Sequence, residues 1–145
     1  MKGHPMWEPF SQPARQAIVR AQEVAQMFGS HFIGTAHIAF ALAETDDEVG
    51  HLFANGLDRA AMRDLLGGVT RAPQAEMVFS DAAKRSIECA FMEARKLGHG
   101  YIGVAHLALG VLDSGEPPPA APGVEVENLR TGLIRAAGGD DPSRN

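Results

Sequence analysis

The chain says nearly the same thing twice, as GSHFIGTAH near its start and as GHGYIGVAH further on. Laying the sequence against itself with Phe10 on Phe79, 69 positions later, keeps one ungapped register to Thr45 on Ser114. Identical pairs include Phe10/Phe79, Ser11/Ser80, Ala14/Ala83, Ile18/Ile87, Ala21/Ala90, Ala25/Ala94, Gly29/Gly98, Ile33/Ile102, Gly34/Gly103, Ala36/Ala105 and His37/His106. Such self-similarity restricts the fold to two copies of one supersecondary unit. Neither copy is long enough to bury its apolar face alone, so the two must share a core.

The repeated unit reads as helical. Ser11 in FSQPAR and Ser80 in FSDAAK are N-cap candidates, whose hydroxyls can accept from an otherwise unpaired first-turn amide. Pro13 sits in that first turn, where a missing amide costs little. Apolar residues then recur at helical spacing, at Ala14, Ile18, Ala21 and Ala25 and again 69 positions later. Gly29 and Gly98 follow the last of them, where a left-handed residue ends a helix. Thr35 reads as the cap of a second helix, AHIAFALAE; Val104 at its mate predicts a weaker cap there. DDEVGHLFANG reads as a third helix and LDRAAMRDLL as a fourth, capped by Asp58. In the second copy the third helix is eroded at 116–122, because the prolines of EPPPAAP remove donors and bias the preceding residues away from helix. VEVENLRTGLIRAAGG supplies the final helix. The expectation is an all-α fold of two pseudo-symmetric repeats of about four helices each. It forms a single domain over 6–137, with repeat one at 10–66, repeat two at 79–137, a loop of composition GGVTRAPQAEMV between them, and tails at 1–5 and 138–145.

Composition agrees. The chain is 45% hydrophobic and 21% charged, with 6% aromatic residues, as suits a helical globular protein. A net charge of −5 with dispersed lysines and arginines opposes binding to a phosphate backbone, so no nucleic-acid partner is expected. No apolar run reaches the ~20 residues of a membrane span, and the start lacks a secretory apolar core. The single cysteine, Cys89, fits a reducing compartment and reads as a small buried residue. The expected setting is the cytoplasm, without membrane contact.

The order Phe-Ser-x-x-Ala-Arg/Lys, an alanine-rich helix, then Gly-His-x-Tyr-Ile-Gly-x-x-His-Leu resembles the duplicated N-terminal domain of the Clp ATPases, the ClpC type above all. ARKLGHGYIGVAHLALGVL carries the resemblance furthest, and the likeness runs from about Met6 to about Ala137. No GxxxxGK[ST] signature is present, and 145 residues leave no room for an AAA+ module, so the chain reads as a free-standing domain or a fragment. The resemblance implies binding of peptides, unfolded or adaptor proteins, and association with Clp ATPase or protease components. Without a phosphate-cradling glycine loop, no ATP hydrolysis, no enzymatic activity and no cofactor are expected.

Family members commonly read Gly-Thr-Glu-His in each copy, the acid helping to recognise phosphoarginine. Ala36 and Ala105 stand at those positions here, so the resemblance implies that both phosphoarginine pockets are lost, since a methyl cannot accept from a guanidinium. His37 and His106 lack the spacing of a metal site and are expected to be structural, hydrogen-bonded to backbone. MWEPFS places Trp7 at the family's opening aromatic. In actinobacterial relatives aromatics at the matching positions help form a groove for cyclic-peptide antibiotics. Trp7, Phe10 and Phe79 are therefore the candidate ligand-binding residues, although a phenylalanine ahead of a helix can equally staple its own first turn. No paired carboxylates, nucleophile elbow or metal cluster suggests catalysis. The function expected is a non-enzymatic peptide- or protein-binding module of the Clp system, acting as adaptor, regulator or ligand-sequestering domain; the alternative is a protection protein that sequesters Clp-directed cyclic peptides.

Overall fold

The computed structural model describes residues 9–30, 32–66 and 78–139. Trp7, His31, the stretch 67–77 expected as a loop, the expected tail at 1–5 and the expected C-terminal tail from 140 onward lie outside them; Val78, expected in that loop, is in a strand, and Gly138 and Gly139, expected in the tail, continue the last helix. Seven helices and two short strands form among the described residues: α1 (Gln12–Met27), β1 (Phe32–Ile33), α2 (Thr35–Ala43), α3 (Glu48–Gly56), α4 (Arg59–Leu66), β2 (Val78–Phe79), α5 (Asp81–Lys96), α6 (Val104–Leu112) and α7 (Val126–Gly139). The offset of 69 that aligns the sequence carries α1 onto α5 and α2 onto α6 at both ends. Ser11 Oγ accepts from the Ala14 amide at 3.2 Å and Ser80 Oγ from the Ala83 amide at 3.1 Å, so each copy starts with the same cap. Gly29 and Gly98 take φ of 65° and 76°, the left-handed conformation that stops α1 and α5.

The central layer is α2 with α6. All nine residues of α6 are buried, as are all of α2 except Ala36, which is half-buried. Helix α1 lies on α2, α5 on α6, and α3, α4 and α7 close the remaining sides. Small residues set the depth of approach. A Cβ added to Gly110 on α6 would run into the Ser86 carbonyl oxygen on α5, so backbone meets backbone there. Helix α7 is tied down by charge: Arg130 donates to Asp113 Oδ2 at 2.7 Å and Oδ1 at 2.8 Å, and to Glu93 Oε2 at 3.0 Å.

Two expectations are corrected. Thr35 is not the cap of α2. Gly34 and Gly103 are the caps, and the histidine three residues on closes each turn, so the second cap is built like the first. The Thr35 hydroxyl instead donates to the Glu116 carbonyl at 2.9 Å. Cys89 is half-exposed rather than buried, its thiol 3.7 Å from the Asp113 carbonyl oxygen. The eroded third helix has become an extended strap between α6 and α7. The Asp58 amide donates to the Pro119 carbonyl at 2.8 Å, the Ala121 amide to the Gly56 carbonyl at 2.9 Å, and Leu57 bridges Ala120 antiparallel. Repeat two thus lies across the α3–α4 corner of repeat one.

Candidate functional site

The repeats exchange strands reciprocally. Strand β1 pairs parallel with β2, with Phe32 opposite Val78 and Ile33 opposite Phe79, and the Ser80 amide donates to the Ile33 carbonyl at 2.9 Å. The mate junction pairs Phe10 with Ile102, the Ser11 amide donating to the Ile102 carbonyl at 2.8 Å and the Ile102 amide to the Pro9 carbonyl at 2.8 Å. Each copy contributes one segment to each junction. The approach to each helix cap is therefore held by the other repeat.

The junctions differ in what they show to solvent. Phe10 is only 3% exposed, its ring edge-on to Phe91 at 5.7 Å and 79° between planes. The repeat equivalent of Phe91 is Gln22, which brings a polar amide in place of a ring, and Phe79 remains half-buried. Beside it Phe32 and Val78 are 53% and 58% exposed. The second junction has Tyr101 where the first has Phe32, and Tyr101 stacks on His99 at 5.2 Å and 17°. The exposed pair Phe32 and Val78 thus shares one face of the first junction, Phe79 lies across from the buried Ile33 and packs against the core, and Phe10 has little surface to give a ligand. The position of Trp7 lies outside the described residues.

Both histidines lock the turns that carry these strands. The Gly34 amide donates to His37 Nδ1 at 2.8 Å, and the Gly103 amide to His106 Nδ1 at 2.8 Å. With Nδ1 accepting, the proton of each neutral ring sits on Nε2. His37 Nε2 donates to Ser30 Oγ at 2.9 Å; His106 Nε2 donates to His99 Nδ1 at 2.9 Å. Burial pushes both histidines down to about 4, and for His106 a neighbouring charge on His99 adds to that effect while Glu93 opposes it. They are neutral at pH 7. Sequence reasoning singled out these histidines but not their partners, because Ser30 and His99 occupy one repeat position with unlike side chains.

Other charges are structural in their contacts. Burial pushes the Glu93 carboxyl up, but hydrogen bonds from Lys96 and Arg130 and their charges outweigh it, leaving the group below its usual range. Burial, then the carboxylates of Asp113, Glu93 and Glu88, push the Cys89 thiol up, which lowers its thiolate fraction. Of the two alanines at the matched acidic positions, Ala105 is fully buried, and Ala36 packs beside Phe40, Val24 and Leu66.

Comparison with known proteins places this geometry. Over 143 residues the chain is 34% identical to the chloroplastic chaperone protein ClpC1 of Oryza sativa subsp. japonica, and equally to a chloroplastic ClpA homologue, an ATP-binding subunit of Clp protease, from Brassica napus. Each match takes in 92% of this chain and 16% of the relative, so the chain spans about a sixth of their length. In fold it is similar to the N-terminal domain of ClpD from Arabidopsis thaliana, with a TM-score of 0.71 and 23% identity over 95% of this chain and all of that one. It is similar also to the Hsp104 N-terminal domain from Candida albicans, with a TM-score of 0.71 and 17% identity over 93% and 95% of the two chains. The family model of the Clp repeat (R) N-terminal domain matches residues 9–120, a span that takes in both strand junctions and both histidine-locked turns, and the chain belongs to that family.

Proposed function

We propose that the chain is a non-enzymatic polypeptide-binding module of the Clp proteolytic system, taking hold of unfolded substrates or adaptor proteins as an adaptor, a regulator or a ligand-sequestering domain. The observation that carries this reading is the exposed apolar pair Phe32 and Val78, side by side at the first strand junction. Adjacent exposed apolar side chains on a rigid, two-repeat frame suit an extended or cyclic peptide, because the surface loses little entropy on binding. The relatives' description as chaperone and Clp-protease subunits supports the setting. Alanine at 36 and 105 leaves the domain with weak or no phosphoarginine binding.

Calorimetric titration with unfolded casein and, separately, with a Clp-directed cyclic peptide should give heat of binding. Phe32→Ala should weaken the ligand by an amount typical of a binding hot spot, about 2 kcal/mol, with the helical signal in circular dichroism unchanged. Trp7 is the only tryptophan, three residues ahead of Phe10, so a change in its emission marks a cyclic peptide that also reaches the start of the chain. Heat with the cyclic peptide alone selects the antibiotic-sequestering reading. No heat with either ligand removes the pair as a binding site.

A further inference from the structure

The two histidine-locked turns differ in what holds the far side of each ring. In repeat one the partner of His37 Nε2 is the Ser30 hydroxyl at 2.9 Å; in repeat two the partner of His106 Nε2 is a second imidazole, His99 Nδ1, also at 2.9 Å. His99 is half-buried and His106 is fully buried. Tyr101 completes the cluster, stacked on His99 with centroids 5.2 Å apart and edge-on to His106 at 5.3 Å and 71°. The loop that carries His99 and Tyr101 is thereby tied to the start of α6. It leads directly into Ile102, whose amide donates to the Pro9 carbonyl at 2.8 Å in the second junction.

Every proton position along this path is taken. The Gly103 amide can only donate, so His106 Nδ1 must accept and the ring proton of His106 sits on Nε2. That proton is given to His99 Nδ1, so the ring proton of neutral His99 sits on its own Nε2. A further proton on His99 goes to Nδ1, where it meets the Nε2–H of His106 across 2.9 Å. Moving the His106 proton to Nδ1 relieves that clash only by setting it against the Gly103 amide. Either way, one link of the path Gly103–His106–His99 is lost. Among the described residues, the charge set against His106 is Glu93 on α5, which is held by Lys96 of the same helix at 3.2 Å and by Arg130 of α7 at 3.0 Å. With two cations on its carboxylate, Glu93 has little left to offer a charged His99. The Ser30 hydroxyl of repeat one takes up no proton and goes on accepting from His37.

We infer that protonation of His99 unlocks the turn of repeat two and leaves that of repeat one closed, so that the second strand junction loosens in mild acid while the first keeps its hold. Imidazole is the side chain whose charge ordinarily changes between about pH 5 and 8, which makes His99 a positioning residue with a built-in response to pH. The response is independent of what the domain binds. It belongs to one copy because the single exchange of serine for histidine separates the two turns at this position.

The test uses the full chain and amide hydrogen exchange followed by NMR at about pH 7.5 and about pH 6, on either side of the ordinary imidazole value. Protection of the Gly103 amide is compared with that of its mate Gly34, and protection of Ile102 with that of Ile33. Acid destabilisation common to both copies cancels in these ratios. Each ratio of second copy to first should fall about fivefold at the lower pH, the scale of one net hydrogen bond. His99→Ser, which installs the side chain that repeat one already uses, should hold the ratios constant over the same range. Wild-type ratios that do not move overturn the inference, as does a fall that persists in His99→Ser.

Discussion

His37 and His106 make the fold sensitive to acid in a predictable direction. Each has a folded-state value near 4 because burial disfavours its charge, against about 6.5 when unfolded. The unfolded chain therefore takes up protons first as pH falls. The stability that the neutral rings contribute is complete above pH 6.5 and declines from there towards pH 4, by about 2 kcal/mol per histidine between pH 7 and 5. Thermal melts across that range should show the decline, and His37→Gln with His106→Gln should flatten it at the expense of a lower Tm at pH 7. A second residue-scale prediction concerns Gly110: alanine there would drive a methyl into the Ser86 carbonyl. The expected loss is about 1–3 kcal/mol, read as a fall in Tm, whereas Gly98→Ala, with no atom within 4 Å of the new methyl, is strained only by its positive φ. The histidines, the capping serines and the left-handed glycines were legible in the sequence because each acts within three or four residues of itself. The cap of α2 was misread for the same local reason. Thr35 has a good capping side chain, and nothing in the string tells that its hydroxyl is drawn to Glu116, 81 residues away.

Among elements, the pair α1/α5 and the pair α2/α6 could be delimited from periodicity because the repeat states each boundary twice. The strand junctions could not. Two-residue strands have no period, and their pairing crosses from one copy to the other. The exposed Phe32–Val78 pair was missed with them, since exposure there follows from which residue lies across the junction. Helix α7 was expected, but the means of its attachment was not: Arg130 finds Asp113 and Glu93 at separations of 17 and 37 residues. Arg130→Met should leave the Glu93 carboxylate buried with only Lys96 to face it, at a cost of about 2 kcal/mol. Hydrogen exchange should then quicken in α7 and the α6 C-terminus while α1 keeps its protection. Equal quickening throughout would mean that the pair supports the whole core rather than one helix.

At the scale of the whole molecule, the shared α2–α6 layer, the reciprocal junctions and the strap from repeat two over the α3–α4 corner all join one copy to the other. A fragment ending at Arg71 and one starting at Ala72 should each be poorly folded alone, with weak helical signal and no cooperative melt. Two separately folded fragments would contradict the shared core. Mixing them should restore the signal, since every interaction across the copies is non-covalent and the cut falls between them. The reciprocal strand exchange has a further consequence for engineering. A molecule whose halves complete one another in this way is a natural split reporter: with each half fused to one of two test proteins, reassembly of the histidine-locked turns would signal that the test proteins have met.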